Sequence, residues 1–194
     1  MLDNYDISLI NNILFLSGSG LDAESGIQTF RAADGLWAGH DVYSVCSATA
    51  FKNDPDTVYS FYNKRRRELK SVKPNQAHYS LVDLEKEFEV NIVTQNISGL
   101  HKEAGSTKVI ELHGSLKKSF CLDNNHTFDW EDDLNASDLC PICQSQMRMG
   151  IVMFEENVYH LDDVQNLANK ADLFVSTGTS LNVFPANALV DFFK

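Results

Sequence analysis

Four short apolar runs, each broken off by a polar or glycine-rich turn, restrict this 194-residue chain to a small set of folds. Asn12-Ile-Leu-Phe-Leu16 runs into Ser17-Gly-Ser-Gly20, and Val90-Asn-Ile-Val-Thr94 into Gln95-Asn-Ile-Ser-Gly99. Lys108-Val-Ile-Glu-Leu112 runs into His113-Gly-Ser115, and Asp172-Leu-Phe-Val-Ser176 into Thr177-Gly-Thr-Ser180. Such runs are too short for helices and suit strands buried on both faces. Helical patterns lie between them, clearest over residues 55–71 and 76–87. Strands alternating with helices predict an α/β fold with a Rossmann-like, mostly parallel sheet and helices on both faces. Ligands of such sheets sit beyond the carboxyl ends of the strands, so the four turns are expected on one rim. Residues 38–75, helical and aromatic, and 115–150, acidic and Cys-bearing, depart from this grammar. They are read as insertions, a helical module and a zinc-knuckle module, forming a small lobe beside a large lobe of residues 1–37, 76–114 and 151–194.

Composition removes several function classes. Sixteen Lys and Arg against 27 Asp and Glu leave a formal charge of −11, so no sequence-wide attraction to nucleic acid or anionic membrane is expected. The longest apolar runs, at residues 13–16 and 151–154, are four residues, against the roughly 20 that span a bilayer. The N-terminus begins acidic and lacks a secretory h-region, which predicts a cytoplasmic protein. Its four Cys are therefore read as metal ligands or buried apolar groups rather than disulfide partners.

Gly18-Ser19-Gly20 after a buried strand is either a phosphate-binding glycine turn or an ordinary one. The residues just beyond it are more specific: Ala23-Glu-Ser-Gly-Ile27, Thr29-Phe-Arg31 and Asp34-Gly-Leu-Trp37. Together these resemble the opening motif of the sirtuins, Gly-Ala-Gly-x-Ser-x-x-Ser-Gly-Ile-Pro-x-Phe-Arg. Four later blocks occur in the family's order. Thr94-Gln-Asn-Ile-Ser-Gly-Leu-His101 resembles Thr-Gln-Asn-Ile-Asp-x-Leu-His, and Glu111-Leu-His-Gly114 carries the family's catalytic histidine. Arg148-Met-Gly-Ile-Val-Met-Phe-Glu-Glu156 is similar to Arg-Pro-x-Val-Val-x-Phe-Gly-Glu, and Gly178-Thr-Ser180 closes the series.

The resemblance implies an NAD-dependent deacylase that joins the acyl group of a lysine to NAD, releasing nicotinamide and 2′-O-acyl-ADP-ribose. Its partners would be acyl-lysine proteins or peptides, with no nucleic acid and no membrane. His113 would be the base for a ribose hydroxyl, a task suited to an imidazole that is mostly neutral near pH 7, with Asn96 beside it in catalysis. Gly18, Ser19, Gly20, Asp22, Phe30, Arg31, Trp37, Gln95, Asn96, Ser98, Gly178, Thr179 and Ser180 would contact the dinucleotide. Val152 and Phe154 would line the substrate-lysine channel. Tyr62 and Arg65 lie three apart, on one helical face, and resemble the Tyr-x-x-Arg pair that in one sirtuin class reads succinyl or malonyl carboxylates. The alternative for that pair is a solvated basic face.

Cys140-Pro-Ile-Cys143 is half of a structural zinc knuckle, with Cys121 upstream where the family has another pair. Asn124 stands where the fourth thiol belongs, so the last ligand is His126, Asp123, water or nothing. Cys46 is read as a buried apolar residue. Other departures carry expectations too. Ser98 for Asp predicts slower catalysis, and Asp22 for Ser predicts weaker pyrophosphate binding unless the carboxylate points away. Glu155 for Gly places a bulky charge beside the lysine channel. The chain ends at Lys194, before strands and helices that continue the family core, so the core is expected to be C-terminally short: either the chain is truncated or its adenine site is incomplete, which lowers the expected NAD affinity. A mono-ADP-ribosyltransferase, an NAD glycohydrolase and a weakened NAD-binding relic are the rival readings.

Overall fold

The computed structural model describes residues 6–29, 36–37 and 39–181. Phe30 and Arg31 lie outside them. The chain opens with β1 (Asn12–Ser17), α1 (Ser19–Asp22), β2 (Leu36–Trp37), β3 (His40–Asp41), α2 (Val42–Cys46) and α3 (Ala48–Asn53). It continues through α4 (Pro55–Leu69), α5 (Gln76–Leu84), β4 (Glu89–Thr94), α6 (Leu100–Ala104) and β5 (Val109–Glu111). The remaining elements are β6 (Gly114–Cys121), β7 (Thr127–Asp129), β8 (Met147–Ile151), α7 (Leu161–Ala168) and β9 (Leu173–Thr177).

The main sheet has the order β5-β4-β1-β9, with every pairing parallel. Its central strand shows why an uninterrupted apolar run becomes a strand here. Side chains of a strand alternate between faces. Leu14 and Leu16 accordingly pack with Val93, Leu112, Val164 and Ala168 on the α7 side. Ile13 and Phe15 pack with Leu21, Leu81, Val90 and Ile92 on the α5 side. Both faces are covered, so no polar alternation is required. All four anticipated strands are present, within a residue of their expected ends.

Residues 114–151, which carry no clear periodicity in sequence, form an antiparallel sheet of order β7-β6-β8. A third core of Val45, Val58, Tyr59, Phe61, Tyr62, Leu116, Met147, Met149 and Ile151 joins this sheet to α2 and α4. Helix α4 starts where Asp54 accepts the Thr57 amide at 3.2 Å and Pro55 occupies the first turn. Its basic C-terminal end is only partly solvated: Lys64, Arg67 and Lys70 are exposed, whereas Arg65 and Arg66 are buried. Arg66 is buried, and its guanidinium donates to the carbonyls of Leu116 (2.8 Å), Lys118 (2.7 Å) and Asp132 (3.1 Å), tying α4 to β6. Among the described residues no helix is long and apolar enough to cross a membrane.

Candidate active site

The turns after β1, β4, β5 and β9 converge on one cavity of about 930 Å³. Ser19, Gly20, Asp22, Gln95, Asn96, Ser98, His113, Gly178, Thr179 and Ser180 line it, and so do Trp37, Tyr62, Arg65, Val152 and Phe154 from the elements opposite. Parallel pairing explains the convergence. Ser17 faces Thr94 on one side and Thr177 on the other, so the strands end level and their turns meet.

The glycines of the first turn serve a purpose other than the one expected. The Gly18 amide donates to the Thr177 carbonyl (3.0 Å) and the Gly20 amide to the Gly178 carbonyl (2.7 Å). These N–H groups are therefore engaged in holding two turns together rather than offered to a phosphate. Gly18 does not line the cavity; its carbonyl accepts from the Asn96 side-chain amide at 3.0 Å, which orients Asn96 from behind.

His113 follows β5, with its backbone carbonyl accepting the Val152 amide at 2.9 Å. Its Nδ1 lies 2.9 Å from the Gln95 carbonyl. A carbonyl only accepts, so Nδ1 carries the proton and Nε2 is left as the acceptor. Burial holds the imidazole below its ordinary pKa, partly offset by this hydrogen bond. The result is a half-buried, oriented, neutral base on the cavity wall.

Tyr62 and Arg65 come together with Cys46 on the cavity wall. Burial pushes the Tyr62 phenol well above its usual range and the Cys46 thiol up to about 11, so both stay protonated. Cys46, read from sequence only as a buried apolar group, is thus also a wall residue. Arg65 is only 8% exposed. Its Nη1 donates to the Phe61 carbonyl at 2.7 Å and its guanidinium lies 3.7 Å from the Phe61 ring centre. Among the described residues no carboxylate forms an ion pair with it. A buried guanidinium in that state invites an anion.

The segment after β8 lines the same cavity. The Phe154 amide donates to the Cys46 carbonyl (2.7 Å), and Arg148 forms a two-point ion pair with Glu156, both contacts at 2.7 Å. Glu155 is exposed and lines the cavity, with one carboxylate oxygen tied down. Its Oε2 accepts from the Thr49 amide (2.9 Å) and hydroxyl (2.8 Å) at the start of α3.

The chain belongs to the Sir2 family. The family profile matches residues 18–185, which span the whole rim and the sheet of β6 to β8. Among curated relatives, an NAD-dependent protein deacylase of Helicobacter pylori strain 26695 is 48% identical over 181 residues, covering 93% of this chain and 79% of its own. One of Vibrio cholerae with the same name is 46% identical over 185 residues, covering 92% and 75%. A mutant Sir2 homologue solved with ADP-ribose superposes with a TM-score of 0.89 at 35% identity, covering 96% of this chain and 77% of its own. A Sir2 homologue solved with NAD gives 0.86 at 35% identity, covering 96% and 75%.

Away from the cavity, the Sir2-family chain gathers Cys121, His126, Cys140 and Cys143, whose ligand atoms lie within 4.8 Å of one another. Among the candidates for a fourth ligand, it is His126 that joins the three thiols. Its Nδ1 is 3.5 Å from the sulfurs of both Cys121 and Cys140, and the Cys143 and Cys121 sulfurs are 3.7 Å apart. A tetrahedral zinc with Zn–S near 2.3 Å and Zn–N near 2.0–2.1 Å has S···N edges of about 3.5 Å and S···S edges of about 3.8 Å. The donor set fits such an ion in both type and spacing. None of the four residues lines the cavity, so a metal there would be structural.

Proposed function

We propose that this chain is an NAD-dependent protein deacylase that favours lysines bearing acidic acyl groups. The observation that carries the reading is a single cavity with an oriented neutral imidazole, His113, and a buried guanidinium, Arg65, that no carboxylate among the described residues ion-pairs. The names of the relatives support its first half. NAD supplies, when bound, an electrophilic ribose carbon and nicotinamide as the leaving group. His113 accepts the proton of a ribose hydroxyl at Nε2, which the Nδ1 bond to Gln95 keeps free for the task. Gln95 and Asn96 orient the ribose and nicotinamide, and Gly178, Thr179 and Ser180 face the phosphates. Val152 and Phe154 wall the lysine channel and exclude water from it. Tyr62 and Arg65 then hold the terminal carboxylate of a succinyl or malonyl group. The catalytic cleft in this reading lies between a large lobe carrying the parallel sheet and a small lobe made of residues 38–75 and 115–150.

Incubation with NAD and a succinyl-lysine peptide tests this directly. Nicotinamide and unmodified peptide are expected in equal amounts, and only when both reactants are present. Nicotinamide released without peptide would identify an NAD glycohydrolase instead. The acyl preference has its own test. A hydrogen bond to a charged group contributes roughly 1.5–3 kcal/mol, so Arg65→Met is expected to lower desuccinylation about 10- to 100-fold more than deacetylation. Equal losses on both peptides would remove Arg65 from the acyl pocket.

Zinc belongs to the same proposal, held by Cys121, His126, Cys140 and Cys143 to fix β6 against the loop before β8. Protein purified without added metal is expected to carry one equivalent of zinc, and Cys140→Ser to lose it with a large fall in Tm. Metal analysis well below one equivalent in the unaltered protein would refute a structural site.

A further inference from the structure

The sirtuin motif Phe-Gly-Glu has glycine where this chain has Glu155. The backbone keeps the conformation that suits glycine, with φ at Glu155 of +76°. A residue with a Cβ adopts that left-handed conformation only at a cost that glycine does not incur. What the chain gains is a fixed carboxylate. Oε2 accepts from the Thr49 amide and hydroxyl at 2.9 and 2.8 Å, while Oε1 takes no hydrogen bond among the described residues. No cation among them forms an ion pair with Glu155, although Lys52 stands on the same helix as Thr49. Of the nearby charges, Glu156 is ion-paired with Arg148, and the one cation lining the cavity among the described residues, Arg65, is buried. Phe154, directly before Glu155, packs its ring against Tyr43 with centroids 5.1 Å apart, and Tyr43 is 62% exposed. Beside the wall of the lysine channel there is thus one exposed carboxylate and one exposed aromatic ring.

We infer that Glu155 selects substrates in which a lysine or arginine lies within two residues of the acyl-lysine, its Oε1 accepting from that cation. The inference rests on the reading of Val152 and Phe154 as walls of the lysine channel. Consecutive Cα atoms are about 3.8 Å apart, so a lysine held between those walls brings its own sequence neighbours within side-chain reach of residue 155. A carboxylate only accepts, so its partner must bring N–H donors, and an unneutralised negative charge favours donors that are cationic. The Tyr43 ring adds a face on which an ammonium or guanidinium can rest. Thr49 already holds the carboxylate still, so less side-chain entropy is lost on pairing than at an ordinary surface ion pair. Substrates are then read by two opposite signs, an anionic acyl group at buried Arg65 and a cationic flank at exposed Glu155. The competing role for Glu155, capping α3 through the Thr49 amide, requires no charge and gives no preference among peptides.

The test uses succinyl-lysine peptides that carry a single Arg at each position from two before to two after the acyl-lysine, against the same peptides carrying Glu there. Both kcat/KM and binding, by fluorescence polarisation of labelled peptides, are measured for the unaltered protein, Glu155→Gln and Glu155→Lys. The unaltered protein is expected to favour Arg over Glu about three- to fivefold at one or more positions, chiefly through KM, and less so at about 0.5 M salt. Glu155→Gln keeps the bonds to Thr49, because an amide oxygen also accepts, and is expected to abolish the preference. Glu155→Lys should reverse it; if that variant folds poorly, Glu155→Gln decides alone. No preference in the unaltered protein, or one that Glu155→Gln leaves intact, would overturn the inference, as would a protein that binds none of the peptides. Peptides that bind with the expected preference, lost in Glu155→Gln, but are not turned over would sink the deacylase reading and leave the assignment of Glu155 standing.

Discussion

Replacing His113 with alanine is expected to lower peptide deacylation by about 100- to 10,000-fold, the range by which a positioned general base accelerates proton transfer. The fold should survive, because the imidazole is held by a single hydrogen bond, to the Gln95 carbonyl, and fills no core cluster. A Tm within a few degrees and unchanged ADP-ribose affinity are the accompanying controls. The pH profile carries independent information. The base works in its neutral form, and burial places its pKa below the ordinary value of about 6.5. Deacylation limited by this step should therefore rise with pH through an inflection below about 6.5 and be level above it. An inflection above 7, or an alanine variant that retains a tenth of the activity, would show that another group takes the proton.

The second large effect is structural. Gly178→Ala is expected to destabilise the protein by about 3–5 kcal/mol, a magnitude confined to a few mechanisms, of which a clash with rigid backbone is one. Gly178 has φ +64°, and a Cβ there would lie 2.3 Å from the Leu21 amide nitrogen and 3.0 Å from the Gly18 carbonyl oxygen. Neither atom belongs to a side chain that can swing away. The β9 turn would have to leave the β1 turn, breaking the 2.7 Å bond from the Gly20 amide to the Gly178 carbonyl. For a chain this long the loss corresponds to a Tm drop of roughly 10 °C. Gly26→Ala is the matched control. Its φ is +90°, yet nothing lies within 4 Å of the new methyl, so only the left-handed backbone cost of about 1–2 kcal/mol applies. Equal Tm changes in the two variants would mean that the contact between the turns adds nothing to stability.

Much of this architecture was legible in local pattern. A parallel strand covered on both faces is apolar throughout, and Ile13 to Leu16 display that directly. Helix α4 announced itself through Asp54, Pro55 and the spacing of its apolar residues. The sheet of β6 to β8 did not, for a physical reason. Its strands bury residues against α4 and the Cys/His cluster, so Ser119 and Arg148 are buried beside Leu116 and Met149, and no simple alternation results. Composition likewise cannot distinguish a solvated guanidinium from one that, like Arg66, donates to three carbonyls. His126 was a candidate by chemistry, but its place beside Cys121 and Cys140 depends on how two distant loops fold.

The sequence by itself determined the strand-turn-helix repeat, the rim on which polar groups must gather, and the residue types available there, because these follow from burial periodicity and from where chains turn. Only the tertiary structure decided which groups meet. It turned the glycine amides of the first loop toward the β9 loop, fixed His113 through Nδ1, buried Arg65 with no carboxylate ion-paired to it among the described residues and set Asp22 against Ser98. Such pairings join residues up to about 160 positions apart, and hydrogen-bond geometry at that separation is fixed by packing rather than by local sequence.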